Sequence, residues 1–163
     1  MSGNNPYAKF LDGRAPEQIL AATGAELAAL LTVMGPKKAA TAPAPGKWSP
    51  AEIVSHLADC EIAFGFRLRQ ILAEESPILQ PFDQDKWAAE YGAIPAEEAL
   101  AAFLALREWN LRVIRRGLAE GAERTANHPE RGKLTFRSMV ELIAGHDLNH
   151  LTQMRHLAGE LRA

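Results

Sequence analysis

The chain has 163 residues, enough for one domain, spanning residues 1–163, to bury a substantial core without disulfides or a structural metal. Lys and Arg number 18 against 20 Asp and Glu, a formal charge of -2, so there is no basic excess to neutralise a phosphate backbone and nucleic acid is not an expected partner. The single cysteine, Cys60, excludes an intramolecular disulfide and suits a reducing compartment.

The opening stretch MSGNNPYAKFLDGRAPEQ has no apolar core of signal-peptide length, and no later segment is expected to approach the roughly 20 apolar residues of a membrane span. The expectation is a cytoplasmic protein with no membrane partner. A first helix is expected from Pro16 to Met34, where Ile19, Leu20, Leu27, Leu30 and Leu31 recur at helical spacing before GPKK interrupts it. After a loop of prolines and small residues, WSPAE opens a second helix with Ser49 as cap, Pro50 at the first position and Glu52 at the third.

That helix is expected to run to about Glu75. The connection SPILQPFDQDKWAAEYG follows, with a short helical turn around Trp87, and a third helix starts near Pro95 and passes through EEALAAFLALREWNLRVIRRGL. AEGAERTANHPERGK is a polar connection, and Phe136 to Leu161 form the fourth helix. Few residues alternate with period two, so no strand pair is expected. The pattern is all-α, a four-helix bundle with at least two long connections, and it leaves open whether the order is up-and-down or includes a crossover.

The fourth helix contains HDLNH. On a helical wheel Met139, Leu142, Ile143, His150, Met154 and Leu157 fall within about 80 degrees of His146, so both histidines lie inside the apolar stripe, with Gln153 beside them. The second helix has a similar stripe of Ile53, His56, Leu57, Cys60, Ala63 and Phe64, which turns a third histidine inward. Burying three imidazoles without partners costs several kcal/mol, on the order set for unpaired polar groups. A divalent cation satisfies one nitrogen of each ring, and facing side chains of a bundle converge in the manner such a site needs. His56, His146 and His150 are therefore the candidate metal ligands. His128 and His156 are expected on the surface.

WSPAEIVSHLADCE followed much later by HDLNHLTQMRHL resembles the DinB-like superfamily, a group of metal-binding four-helix bundles that includes thiol-dependent S-transferases. The resemblance implies that His56, His146 and His150 hold one divalent ion, commonly zinc or nickel, in a bundle with a non-simple connection. It also implies homodimers in many members and, in those with a known activity, a low-molecular-weight thiol such as bacillithiol, mycothiol or glutathione as cosubstrate, activated as a thiolate. Three protein ligands leave a coordination position open, the arrangement of a catalytic site. The S-transferase members of the family it resembles then imply a small electrophile as substrate.

Asp59, Asp147 and Gln153 are the polar residues placed to orient the outer ring nitrogens, and surface solvation is the alternative role for each. Cys60, four residues after His56, is either a fourth ligand or a small core residue. Trp48 either lines the site or staples the start of its helix, and Trp87 and Tyr91 either wall a pocket or cover the core. Arg107, Arg112, Arg115 and Arg116 complement the dipole of the third helix.

Two other functions fit the same ligands. A metal-dependent hydrolase needs only a bound hydroxide, although HDLNH departs from the HExxH protease helix by carrying Asp147 in place of glutamate. A non-catalytic stress-response protein would use the ion to tie two helices together.

Overall fold

The computed structural model describes residues 5–159. A single turn, α1 (Ala8–Leu11), precedes the first long helix, α2 (Pro16–Ala39). Gly35, at φ 69° and ψ 166°, breaks α2 after Met34, and Pro36 starts one further turn. The expected stop at GPKK is therefore a kink with a short continuation. The second long helix, α3 (Pro50–Ala73), begins in the expected capping box: the Glu52 N–H donates to Ser49 Oγ at 3.3 Å and the Ser49 N–H to Glu52 Oε2 at 2.7 Å. The next connection holds α4 (Gln84–Ala88) and a 3-10 turn at Tyr91–Ala93. It leads to α5 (Ala96–Glu120).

The polar connection after α5 is a correction to the expected absence of strands. β1 (Thr125–His128) and β2 (Gly132–Thr135) pair antiparallel, with Thr125 opposite Thr135 and His128 opposite Gly132. Four-residue strands are too short to show a period, and the turn carries the signal instead: Gly132 sits at φ 70°, a conformation glycine adopts without steric cost. Asn127 exchanges backbone hydrogen bonds with Pro77 and Leu79, which ties the preceding connection to the hairpin. The last helix, α6 (Phe136–Ala158), starts in a second capping box between Thr135 and Ser138 and ends on Gly159 in the left-handed region. The expected end at Leu161 lies outside the described residues.

The four long helices form a bundle whose chain order is not the simple one. α3 packs along α5 and α2 along α6, α2 also meets α5 and α3 meets α6, whereas contacts of α2 with α3 and of α5 with α6 are slight. Consecutive helices α2 and α3 therefore stand on a diagonal, as do α5 and α6. The ten residues 40–49 and the hairpin segment each carry the chain across an end of the bundle. The connection left open by the sequence is thus a crossover.

By length and composition α2 is apolar enough to cross a membrane, with an 18-residue window of mean hydropathy 1.5, which corrects the expectation that no segment reaches that measure. Alanines on its outer faces raise the average. Its inward residues Leu20, Leu27 and Leu30 are buried against the other helices. Phe103, Phe136, Ile53, Leu57, Leu68 and Met139 fill the same core, each burial removing apolar surface from water worth about 1.5–3 kcal/mol.

A buried polar network crosses the middle of this core. Arg107 on α5 donates to Asp147 Oδ2 on α6 at 2.7 Å, to Glu61 Oε1 on α3 at 2.8 Å and to the Leu20 carbonyl of α2 at 2.9 Å. Thr23 adds a hydrogen bond of 2.8 Å to Asp147, and Asn110 donates to both the carbonyl and the carboxylate of Glu61. Burial works against the Arg107 charge, and the carboxylates of Asp147 and Glu61 outweigh it, so its pKa is raised. The assignment of Arg107 to the helix dipole is therefore corrected: it is a core cation that joins all four long helices. Arg112, Arg115 and Arg116 of the same helix are exposed.

Candidate metal centre

The two capping boxes fix where α3 and α6 begin, and helical spacing then delivers His56 from one and His146 and His150 from the other to the seam between them. His146 Nε2 lies 3.2 Å from His56 Nε2 and 3.1 Å from His150 Nε2. All three side chains are buried, and their donor atoms lie within 4.8 Å of one another. The sequence placed these three residues together, and the structure brings them together.

Their protonation follows from burial. His56 is pushed down to about 3, by desolvation first and by His150 second. His146 is lowered well below the ordinary histidine value by desolvation and by the neighbouring rings, and His150 is lowered by desolvation although its hydrogen bond to Gln153 opposes the shift. All three rings are neutral at pH 7. His150 Nδ1 donates to Gln153 Oε1 at 3.1 Å, which leaves the Nε2 lone pair of His150 directed into the cluster. Nδ1 of His146 is buried with no hydrogen-bond partner among the described residues.

This donor set fits a divalent ion. Three neutral imidazole nitrogens converge, and one N–H among them cannot satisfy the other two lone pairs. In a tetrahedral site with bonds of about 2.0–2.1 Å to nitrogen, ligand atoms stand about 3.3 Å apart, close to the two separations from His146. Borderline cations such as zinc and nickel suit such a set. Cys60 Sγ is 3.5 Å from His56 Nε2, yet it does not join the group of mutually close donors. Its thiol is pushed up by desolvation and by Asp147, Glu61 and Asp59, so it stays protonated beside the neutral rings.

The polar neighbours sort differently from expectation. Gln153 does orient a ring. Asp147 serves Arg107 and Thr23, and Asp59 accepts the Tyr91 hydroxyl at 2.7 Å, so neither holds a histidine. Trp48 lies over His56 with ring centres 4.9 Å apart and touches Tyr91, which makes it one wall of the site as well as the entry to α3. Trp87 and Tyr91 line a separate groove of about 650 Å³ against α5, away from the histidine cluster. His156 is exposed as expected, but His128 is buried, because the hairpin folds back over the seam.

A cavity of about 250 Å³ opens beside the cluster, with His56 and His146 in its wall. Tyr7, Phe64, Phe82 and Met139 give it apolar sides, and Arg67 and His128 line it too. Tyr7, Phe82 and Arg67 were not among the sequence candidates. Arg67 was within reach of one, since positions 56, 60, 64 and 67 continue a single stripe of α3, and an arginine on an apolar stripe is itself a signal. Tyr7 packs on α6 because residue 145 is glycine: a Cβ there would lie 2.7 Å from Tyr7 Cβ and 2.8 Å from its carbonyl oxygen.

The DinB superfamily profile matches residues 19–154, which include all three histidines. The chain belongs to the DinB superfamily. A candidate metal-dependent hydrolase of Oceanobacillus iheyensis is 30% identical over 113 residues, and a second from the same organism is 28% identical over 111. These alignments cover 69% and 68% of this chain but 66% and 64% of those relatives, just under two thirds of their length. A candidate metal-dependent hydrolase of Bacillus cereus is 26% identical over 117 residues, 71% of this chain and 68% of that one.

Among solved structures, YfiT from Bacillus subtilis superposes with a TM-score of 0.77 over 88% of this chain and 86% of its own, at 23% identity. It is described as a candidate metal-dependent hydrolase with an unusual four-helix bundle topology. The likeness carries the fold, and the diagonal placement of consecutive helices described above is the corresponding feature of this DinB-superfamily chain.

Proposed function

We propose that this DinB-superfamily protein holds one divalent ion, zinc or nickel, on Nε2 of His56, His146 and His150 and acts on a small electrophile with a thiol as cosubstrate. The observation that carries the reading is the convergence of three neutral rings beside a cavity, His146 Nε2 standing 3.1–3.2 Å from Nε2 of the other two and all three donor atoms within 4.8 Å, with no fourth protein donor in the set among the described residues. When bound, the ion would supply Lewis acidity, lowering the pKa of a thiol or water in its open position.

The chain's own residues do the rest. Gln153 fixes the tautomer and angle of His150, Trp48 packs over His56 with ring centres 4.9 Å apart, and Tyr7 sits edge-on to His146 with ring centres 5.4 Å apart. Phe64, Phe82 and Met139 exclude bulk water from one side, which strengthens any charge interaction in the cavity. Cys60 stays a thiol and takes no part.

Hydrolysis is the second reading, favoured by the names of the relatives. The two are separated by incubating metal-loaded protein with an activated aryl chloride, with and without low-molecular-weight thiols, and with p-nitrophenyl acetate. Thiol-dependent consumption of the chloride, lost on chelation and in His56→Ala, is expected. Ester turnover that ignores thiol would favour hydrolysis, and rates no greater than those of the free metal ion would overturn both.

A further inference from the structure

Arg67 is a buried cation on the cavity side of α3, 7% exposed, and among the described residues no carboxylate oxygen lies within 4.0 Å of its guanidinium. Every other buried charge of the core is paired: Arg107 has Asp147 and Glu61. A buried guanidinium without an anion is costly, and it is retained where something supplies the negative charge.

The surroundings hold Arg67 in position without neutralising it. One N–H donates to the Gln80 carbonyl at 2.5 Å, and the guanidinium lies 5.8 Å from the Phe64 ring centre and 5.6 Å from that of Phe82. Two rings and one carbonyl fix the plane of the fork, and its other donors have no hydrogen-bond partner among the described residues. Desolvation lowers its pKa from the ordinary arginine value, yet the group remains charged at neutral pH.

His128 lines the same cavity and is also buried. Its Nδ1 accepts the Glu130 backbone N–H at 3.2 Å, so in the neutral ring the proton is on Nε2, a donor. Desolvation first and Arg67 second lower its pKa and keep it neutral. Arg131 of the hairpin turn is a second positive group in the wall beside Arg67, and Glu130 is the one carboxylate among the lining residues.

We infer that the cavity takes a small molecule carrying a carboxylate, bound by the Arg67 guanidinium, with the rest of the molecule directed along the apolar walls toward the three histidines. The inference rests on the metal-site reading for what happens at the histidines, but the anion site stands on Arg67 and His128 alone. It defines the substrate or cosubstrate class as a small organic acid. A planar fork that is already oriented matches a carboxylate with two parallel hydrogen bonds, and little ordering is needed on binding.

The test titrates butyrate and its neutral isostere butyramide into the zinc-loaded protein and into the same protein after chelation, following amide chemical shifts by NMR. Butyrate is expected to bind about tenfold more tightly than butyramide in both forms, the effect of a hydrogen-bonded charge pair. Arg67→Gln is expected to abolish the preference while its zinc content stays that of the native chain. Arg67→Lys is expected to keep part of it.

Equal binding of the two probes to the native protein would overturn the inference without recourse to any variant. A preference that disappears on chelation, or that survives in Arg67→Gln, would place the carboxylate elsewhere and also overturn it. Failure of the native chain to load zinc counts against the metal reading alone, since the chelated form still tests Arg67.

Discussion

Arg107 on α5 holds Asp147 on α6 at 2.7 Å, one position along the helix from His146. The same guanidinium holds Glu61 on α3, the helix that carries His56. One cation therefore sets the spacing of the two helices that bring the histidines together, and it does so from inside the core. Replacing one partner of a buried pair leaves an uncompensated charge, at a cost of about 3–5 kcal/mol. Arg107→Met strands two carboxylates and should lose stability on that scale in urea unfolding. A loss below about 1 kcal/mol would mean that the network is not what holds the seam.

Acid should weaken the metal-free protein through its histidines. The unfolded rings titrate near 6.5, whereas His56 in the folded state is pushed down to about 3 and the other two are also lowered. Between these values the unfolded chain binds more protons, so the stability contributed by neutral rings is complete above about pH 6.5 and is lost as pH falls toward 3. In chelated protein between pH 6.5 and 5, before carboxylates titrate, the stability slope of the native chain should exceed that of His56→Gln. One proton accounts for up to about 1.4 kcal/mol per pH unit. Equal slopes would contradict the neutral, buried state of His56.

Cys60 should be dispensable for metal. It is 3% exposed and its thiol is held protonated, so Cys60→Ser should keep the native metal content, and the native thiol should react slowly with alkylating reagents until the protein is unfolded. Loss of metal in Cys60→Ser would make the sulfur a fourth ligand and close the open position on which the proposed chemistry depends.

Gln153 is exposed, and its oxygen accepts from His150 Nδ1 at 3.1 Å, whereas the outer nitrogen of His56 meets only the Cys60 sulfur, at 3.9 Å, among the described residues. Removing such an orienting partner typically costs 10–100-fold in metal affinity. Gln153→Leu should weaken zinc binding at least about tenfold in a chelator competition, with little change in the unfolding of the metal-free protein. Unchanged affinity would show that packing alone holds the ring.

Chemistry written within one helix was legible in the sequence. Ser49, Pro50 and Glu52 mark the start of α3 by local hydrogen bonding, and the wheel positions of His56, His146 and His150 follow from the helical period. What depends on distant partners was not. Asp147 next to His146 looks like a ring partner until α5 brings Arg107 against it, and His128 looks like a loop residue until a hairpin of four-residue strands turns it inward. Tyr7 reaches the site only because Gly145 has no side chain, a relation between residues 138 positions apart in the chain that no local pattern carries.

The central claim is that the three histidines form one metal site, and elemental analysis of untagged protein, purified without added metal, tests it most directly. About one zinc or nickel per native chain is expected, with loss of that metal in a His150→Ala protein whose circular dichroism is still that of a helical bundle. A native chain that holds no divalent metal even after zinc reconstitution and dialysis would contradict the account, and the three rings would then serve the core alone.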